Sequence, residues 1–214
     1  GIAVAVITGA GRAFTAGQDL GEMATPKKYT DGKRHGFTPF IETVEAFPKP
    51  LIAAVNGLGV GIGLTMLPHC DLVLMSEQAQ LRAPFVSLGV TVEAGNSFLL
   101  PRTVGGANAA HLLYTSEWLS AQKCHELGLV WKVTKADTLL AETFEVADQI
   151  AAMPIPSLVE TKRLLLDARL EGVRAARERE IVRFAALAGG PANREAIAAF
   201  EEKREPDFTN LPNA

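Results

Sequence analysis

Twice in this chain an apolar run passes directly into a glycine-rich turn. Ile2-Ala3-Val4-Ala5-Val6-Ile7-Thr8 leads into the stretch from Gly9 to Leu20, which holds glycines at Gly9, Gly11 and Gly17. Leu51-Ile52-Ala53-Ala54-Val55 leads into Asn56-Gly57-Leu58-Gly59-Val60-Gly61-Ile62-Gly63. Short β-branched and alanine-rich runs bounded by glycine read as buried strands. Glycine lets a backbone approach a neighbour closely and turn amide N–H groups outward. Two such turns brought together can hold one developing negative charge between backbone donors, an arrangement suited to acyl chemistry.

Neither turn fits a nucleotide loop. The dinucleotide fingerprint fails at Phe14 and at Ile62, where its last glycine is required, and no Gly-Lys-Ser or Gly-Lys-Thr is present. The four histidines, His35, His69, His111 and His125, have no second ligand at metal spacing, so no metal site is expected. No Gly-x-Ser-x-Gly elbow occurs, which argues against a serine hydrolase. The net charge of −3 points to neither nucleic acid nor an anionic membrane, and no apolar run is long enough to span a bilayer. Two cysteines, Cys70 and Cys124, are too few for a disulfide framework and read as small buried hydrophobes, which fits a reducing compartment.

Among the carboxylates, Glu93 stands out in Leu88-Gly89-Val90-Thr91-Val92-Glu93-Ala94-Gly95. It follows an apolar run and precedes a small, flexible pair. A carboxylate in apolar surroundings has its charged form disfavoured, which makes it a better base near neutral pH. Read as a lone residue, such a glutamate is more often a solvated loop acid. Asp19 and Asp71 stand at strand or turn ends, where a carboxylate caps backbone amides.

The order of elements is strand, turn, helix, repeated. The polar stretch from Thr25 to Pro39 reads as a mobile loop, followed by an amphipathic helix around Phe40 to Phe47. Asp71 to Ser76 and Gln80 to Arg82 read as further strands. The C-terminal half is helical. Leu140, Phe144, Ala147 and Ala151 form one helical stripe, with Asp137 as a cap and Pro154 as a stop. Ser157 with Glu160 reads as a capping box ahead of Leu164, Leu165 and Ala168. A last helix runs through Ala196, Ile197 and Phe200. The basic residues are scattered and mostly alternate with acids, as from Arg174 to Arg183, with no basic patch for nucleic acid. The expected class is α/β, with helices gathered at the C-terminus.

These residues resemble a known family. The stretch from Gly9 to Leu20 is similar to the first signature of the crotonase superfamily, the enoyl-CoA hydratases and isomerases. Lys49 to Gly57, continuing to Cys70-Asp71-Leu72, is similar to the second, and Leu119 to Val130 resembles a later helix and strand of that family. The resemblance implies a spiral of repeated ββα units over residues 1–135 and a C-terminal helical region over 136–214 that drives trimer formation. The family's N-terminal hairpin and first helix have no counterpart here, so the chain is expected to begin inside that larger fold.

The resemblance also implies an acyl-CoA thioester substrate, no cofactor beyond the coenzyme A of that substrate, and a homotrimer or dimer of trimers. It makes the amides of Gln18 and Ile62 the oxyanion donors. It lines the CoA and substrate path with Thr15, Ala16, Gly17, Asp19, Leu20 and Gly61, and sets Phe200 and Lys203 at the nucleotide. The two glutamates of the family's hydratases correspond to Thr65 and Phe85. Glu93 falls where a peroxisomal-type Δ3,Δ2-enoyl-CoA isomerase carries its single catalytic glutamate, and Ala54 to Ile62 is also similar to that branch. Chromodomain-Y-type proteins share that stretch. The implied activity is isomerisation of a 3-enoyl-CoA. A hydratase or other lyase reaction, and a non-catalytic acyl-CoA-binding subunit, remain as alternatives. The C-terminus lacks a peroxisomal Ser-Lys-Leu, so the expected compartment is the cytoplasm.

Overall fold

The computed structural model describes residues 1–17 and 34–211. Two four-stranded sheets grow together along the chain. One has the order β1 (Ala5–Thr8), β3 (Leu51–Val55), β5 (Leu72–Ser76), β8 (Lys132–Thr134), with neighbours parallel throughout. The other has the order β2 (Ala13–Thr15), β4 (Leu58–Val60), β6 (Gln80–Arg82), β7 (Leu119–Ser120), parallel until the antiparallel β6–β7 pair. Each repeat adds one strand to each sheet, as a spiral of ββα units requires.

The intervening and following helices are α1 (Phe37–Glu45), α2 (Ile62–Thr65), α3 (Asn96–Val104), α4 (Gly106–Thr115), α5 (Ala121–Glu126), α6 (Leu139–Ala151), α7 (Ile155–Asp167), α8 (Leu170–Leu187) and α9 (Pro191–Glu201). A 3-10 turn, Leu67–His69, follows α2. The expected mobile loop lies mostly outside the described residues. Its last residues, Phe37 to Pro39, open α1 instead.

The central strand β3 is buried on both faces, which explains its unbroken apolar run. Alternation splits its side chains. Leu51, Ala53 and Val55 enter the main core with Val73, Met75 and Leu81, whereas Ile52 and Ala54 pack with Leu74 under Leu139 and Ala147 of α6. Cys70 and Cys124 are buried free thiols, and burial pushes both up to about 12. They serve as small apolar residues.

The C-terminal stripes differ from the pattern read from sequence. In α6 the buried residues are Leu139, Thr143 and Ala147, so only Ala147 of the expected stripe faces inward. The first turn opens on Thr138 rather than Asp137. Helix α7 starts at Ile155, which puts Ser157 inside the first turn and removes the capping box. Its buried residues are Lys162 and Leu166, while Leu164 and Leu165 are 71% and 60% exposed. The inversion has a specific cause. Lys162 Nζ meets both oxygens of Asp71 at 2.7 Å, and Asp71 Oδ2 also accepts the Leu51 amide at 2.8 Å. One carboxylate thus joins α7 to the starts of β3 and β5, in line with the reading of Asp71 as a residue that satisfies backbone amides.

Candidate active site

The two glycine turns are joined by Asn56. Its Oδ1 accepts the Gly9 amide at 3.0 Å, and its Nδ2 donates to the Gly11 carbonyl at 2.9 Å. Thr8 Oγ1 donates to the Ala54 carbonyl at 2.8 Å just before the crossing. A Cβ on Gly57 would lie 2.2 Å from the Arg12 carbonyl oxygen, so only glycine permits the approach. Strands β2 and β4 leave this crossing in parallel and are followed by Gly17 and Gly61, both with positive φ, of 95° and 58°. The Gly61 amide donates to the Arg82 carbonyl of β6 at 2.9 Å, which fixes the start of α2. Ile62 is the first residue of α2, and the first amides of a helix have no intrahelical acceptor.

Ala16, Gly17, Gly61 and Ile62 line a cavity of about 110 Å³ together with Phe85 and Glu93. Val90, Phe184 and Ile197 add apolar wall to it, and Asn193 a polar group. A second cavity of about 220 Å³ adjoins it, bounded by Phe37, Thr38, Glu180 and Ile181. Glu93 and Phe184 belong to both.

The turn carrying Glu93 is held from three sides. Ala94 and Gly95 are both left-handed, with φ of 62° and 72°, and together they reverse the chain between Glu93 and α3. Left-handed alanine is sterically unfavourable and persists only where its surroundings impose it. Here the Ala94 carbonyl accepts from His69 Nε2 at 2.8 Å and from Asn96 Nδ2 at 3.3 Å. Asn96 Nδ2 also reaches the Thr65 carbonyl at 2.7 Å. From α8, Glu180 accepts the Gly95 amide at 2.6 Å and the Ser97 amide at 2.7 Å, one on each carboxylate oxygen. Val173, two turns earlier on α8, packs so closely that a Cβ on Gly95 would meet its Cγ1 at 2.8 Å.

Burial raises Glu93 to about 7. The nearby charge of Glu180 adds to the rise, and a hydrogen bond from Thr65 opposes it. Burial pushes His69 down to about 4, so at neutral pH it is an uncharged donor to Ala94. Among the described residues no group of three or more His, Cys, Asp or Glu is placed to hold a metal ion.

The expected site residues therefore separate into groups. Glu93, Ile62, Gly61, Ala16 and Gly17 converge on one cavity. Thr15 stands beside it and accepts the Gly17 amide at 3.2 Å. Gln18, Asp19 and Leu20 lie outside the described residues. Phe200 is 67% exposed on the last turn of α9, and Lys203 follows that helix, also exposed and away from the cavity lining. Thr65 and Phe85, expected where carboxylates would serve hydration, both lie at the site, Thr65 beside Glu93 with its hydroxyl donating to the Gly61 carbonyl at 3.3 Å, and Phe85 in the cavity wall.

Sequence reading missed Glu180, His69 and Asn96 as site residues. The segment from Arg174 to Arg183 reads from sequence only by its alternating charges. The buried residues of the helix that contains it, Val173, Ala176 and Glu180, stand three and four apart, and that spacing was the available signal for a buried acid.

A family model described as Enoyl-CoA hydratase/isomerase matches residues 1–211. The chain is 34% identical to the 1,2-epoxyphenylacetyl-CoA isomerase of Escherichia coli (strain K12), over 95% of this chain and 80% of that protein. It is 35% identical to the 2,3-dehydroadipyl-CoA hydratase of the same strain, over 97% of this chain and 81% of that protein. The crystal structure of an enoyl-CoA hydratase/isomerase from Pseudoalteromonas atlantica T6c superposes with a TM-score of 0.88 at 38% identity, covering 96% of this chain and 82% of that one.

Proposed function

Because the chain belongs to the enoyl-CoA hydratase/isomerase family, we propose that it is a single-glutamate isomerase, moving the double bond of a 3-enoyl-CoA to give the 2-trans-enoyl-CoA. The observation that carries this reading is the state of the carboxylates. Glu93 opens into the cavity at the ends of both glycine turns, while both oxygens of its neighbour Glu180 are taken up by backbone amides. By the family resemblance, Thr65 and Phe85 correspond to the two glutamates of the hydratases. One acid with a near-neutral pKa suffices to shift a proton; orienting and deprotonating a water calls for a second.

In this mechanism Glu93 removes a proton from C2 of the acyl group. The electrons move into the thioester, whose oxygen gains negative charge next to the amides of Ile62 and Gln18. The same proton returns from Glu93 to C4, and the double bond moves from C3–C4 to C2–C3. A backbone oxyanion donor is worth about 3–4 kcal/mol of barrier. The CoA portion follows Thr15, Ala16, Gly17, Asp19, Leu20 and Gly61 toward Phe200 and Lys203, and no metal or redox group takes part. Self-association as a homotrimer or dimer of trimers belongs to the same reading, with the exposed Leu164 and Leu165 of α7 as apolar contact surface.

The test is a panel of 3-enoyl and 2-enoyl thioesters run against wild type and Glu93→Gln. Isomerisation should dominate and fall by about 10²–10⁴-fold in the variant. Near wild-type turnover in E93Q would sink the assignment. Water addition to crotonyl-CoA without isomerisation favours the hydratase reading, which the similarity to the 2,3-dehydroadipyl-CoA hydratase supports to the same degree. Thioester binding with no turnover favours a binding subunit.

A further inference from the structure

Glu180 is 5% exposed, and its carboxylate spans the start of α3 with one oxygen on Gly95 N and the other on Ser97 N. It lines the second cavity together with Glu93, close enough for its charge to act on the Glu93 carboxyl. The stripe of α8 that contains it does the rest of the bracing. Val173 packs on Gly95, and Phe184 lines both cavities. Arg177 is held by Glu42 and Glu45 of α1, with Arg177 Nε to Glu45 Oε2 at 3.0 Å.

We propose that Glu180 is a positioning residue for the Glu93 turn, clamping it through two backbone amides and keeping a second negative charge beside the Glu93 carboxyl. The inference rests on Glu93 being the acid–base group. An acid that must take up a proton from carbon and release it again gains from a neighbour that makes its charged form costly.

Among the described residues, Glu180 is the charge that acts on Glu93. Arg177, on the same helix, is committed to Glu42 and Glu45 of α1. His69, from the 3-10 turn, is neutral. From α2 comes the uncharged Thr65, whose hydrogen bond opposes the effect of Glu180, and α9 offers the uncharged Asn193 and Ile197.

The test is a carboxyl-¹³C NMR titration of glutamate-labelled protein, with the Glu93 signal assigned by its loss in E93Q. In Glu180→Gln the Glu93 midpoint should move down by about one pH unit or more. An unmoved midpoint in folded E180Q overturns the proposal. Glu180→Asp keeps the charge but cannot span both amides. There the midpoint should stay raised while hydrogen exchange at Gly95 and Ser97 speeds up by about tenfold or more. If E180Q does not fold, E180D carries the test, and unchanged exchange at both amides overturns the clamp. Absence of isomerase turnover in wild type defeats the isomerase reading alone, because the titration and exchange measurements need no substrate.

Discussion

His69 Nε2 donates to the carbonyl of Ala94 at 2.8 Å, behind the left-handed turn that presents Glu93 to the cavity. A buried neutral histidine with one firm acceptor orients a backbone it never leaves. Replacing it with leucine removes a buried donor and should cost about 2 kcal/mol, with a loss of turnover as Ala94 relaxes. Urea unfolding of H69L beside wild type measures the first effect.

The same residue makes stability depend on pH. Its folded pKa, about 4, lies below the ordinary 6.5, so the unfolded chain binds the proton more readily. Its contribution is complete above 6.5 and is lost as pH falls through 4. The stability gap between wild type and H69Q should therefore narrow by up to about 3 kcal/mol over that window. A gap that stays constant from neutral pH to pH 4 contradicts a buried neutral His69.

Glu93 has the opposite sign. Its folded pKa is raised from 4.5 to about 7, so its contribution to stability is complete below 4.5 and is lost as pH rises through 7. E93Q escapes that loss and should gain on wild type by about 3 kcal/mol between pH 4.5 and pH 8. Thermal or urea unfolding of both proteins across that range measures the gain, and parallel stability curves would count against a raised Glu93 pKa.

Catalysis follows the ionised form of the same group. A base works when deprotonated, so kcat/KM for a 3-enoyl-CoA should rise with pH around a midpoint near 7 and level off above it. A profile that is flat from pH 5 to pH 8 is incompatible with Glu93 as the base.

Gly57 is a packing position with consequences at the cavity. An alanine there puts Cβ 2.2 Å from the Arg12 carbonyl oxygen, so the two glycine turns must separate. Gly57→Ala should destabilise the protein by about 2 kcal/mol or more and reduce turnover by at least tenfold. Denaturation midpoints and steady-state kinetics report the two effects separately.

Much was legible in the sequence because it rests on local chemistry. The apolar runs at Ala5–Thr8 and Leu51–Val55 read as strands and form them, the second buried throughout; Gly9 and Gly57 sit where backbones approach closely and Gly61 where φ is positive; and Glu93 was an acid set among apolar residues. Those features determined the α/β class, the pairing of the two turns and the candidate base. The C-terminal helices were legible as helices but not in their facing. Leu164 and Leu165 look like core by composition, yet the chain buries Lys162, because Asp71 waits 2.7 Å away on an element ninety-one residues distant.

The same limit hid the support of the site. Whether Glu180 is a solvated helix acid or the clamp of the Glu93 turn depends on α8 packing across Gly95, and no local pattern records that distance. Side-chain type and spacing settle what a segment prefers on its own. The partner of a buried charge, and with it the pKa and aim of the residue that does the chemistry, is decided only when distant segments are brought into contact and water is removed from between them.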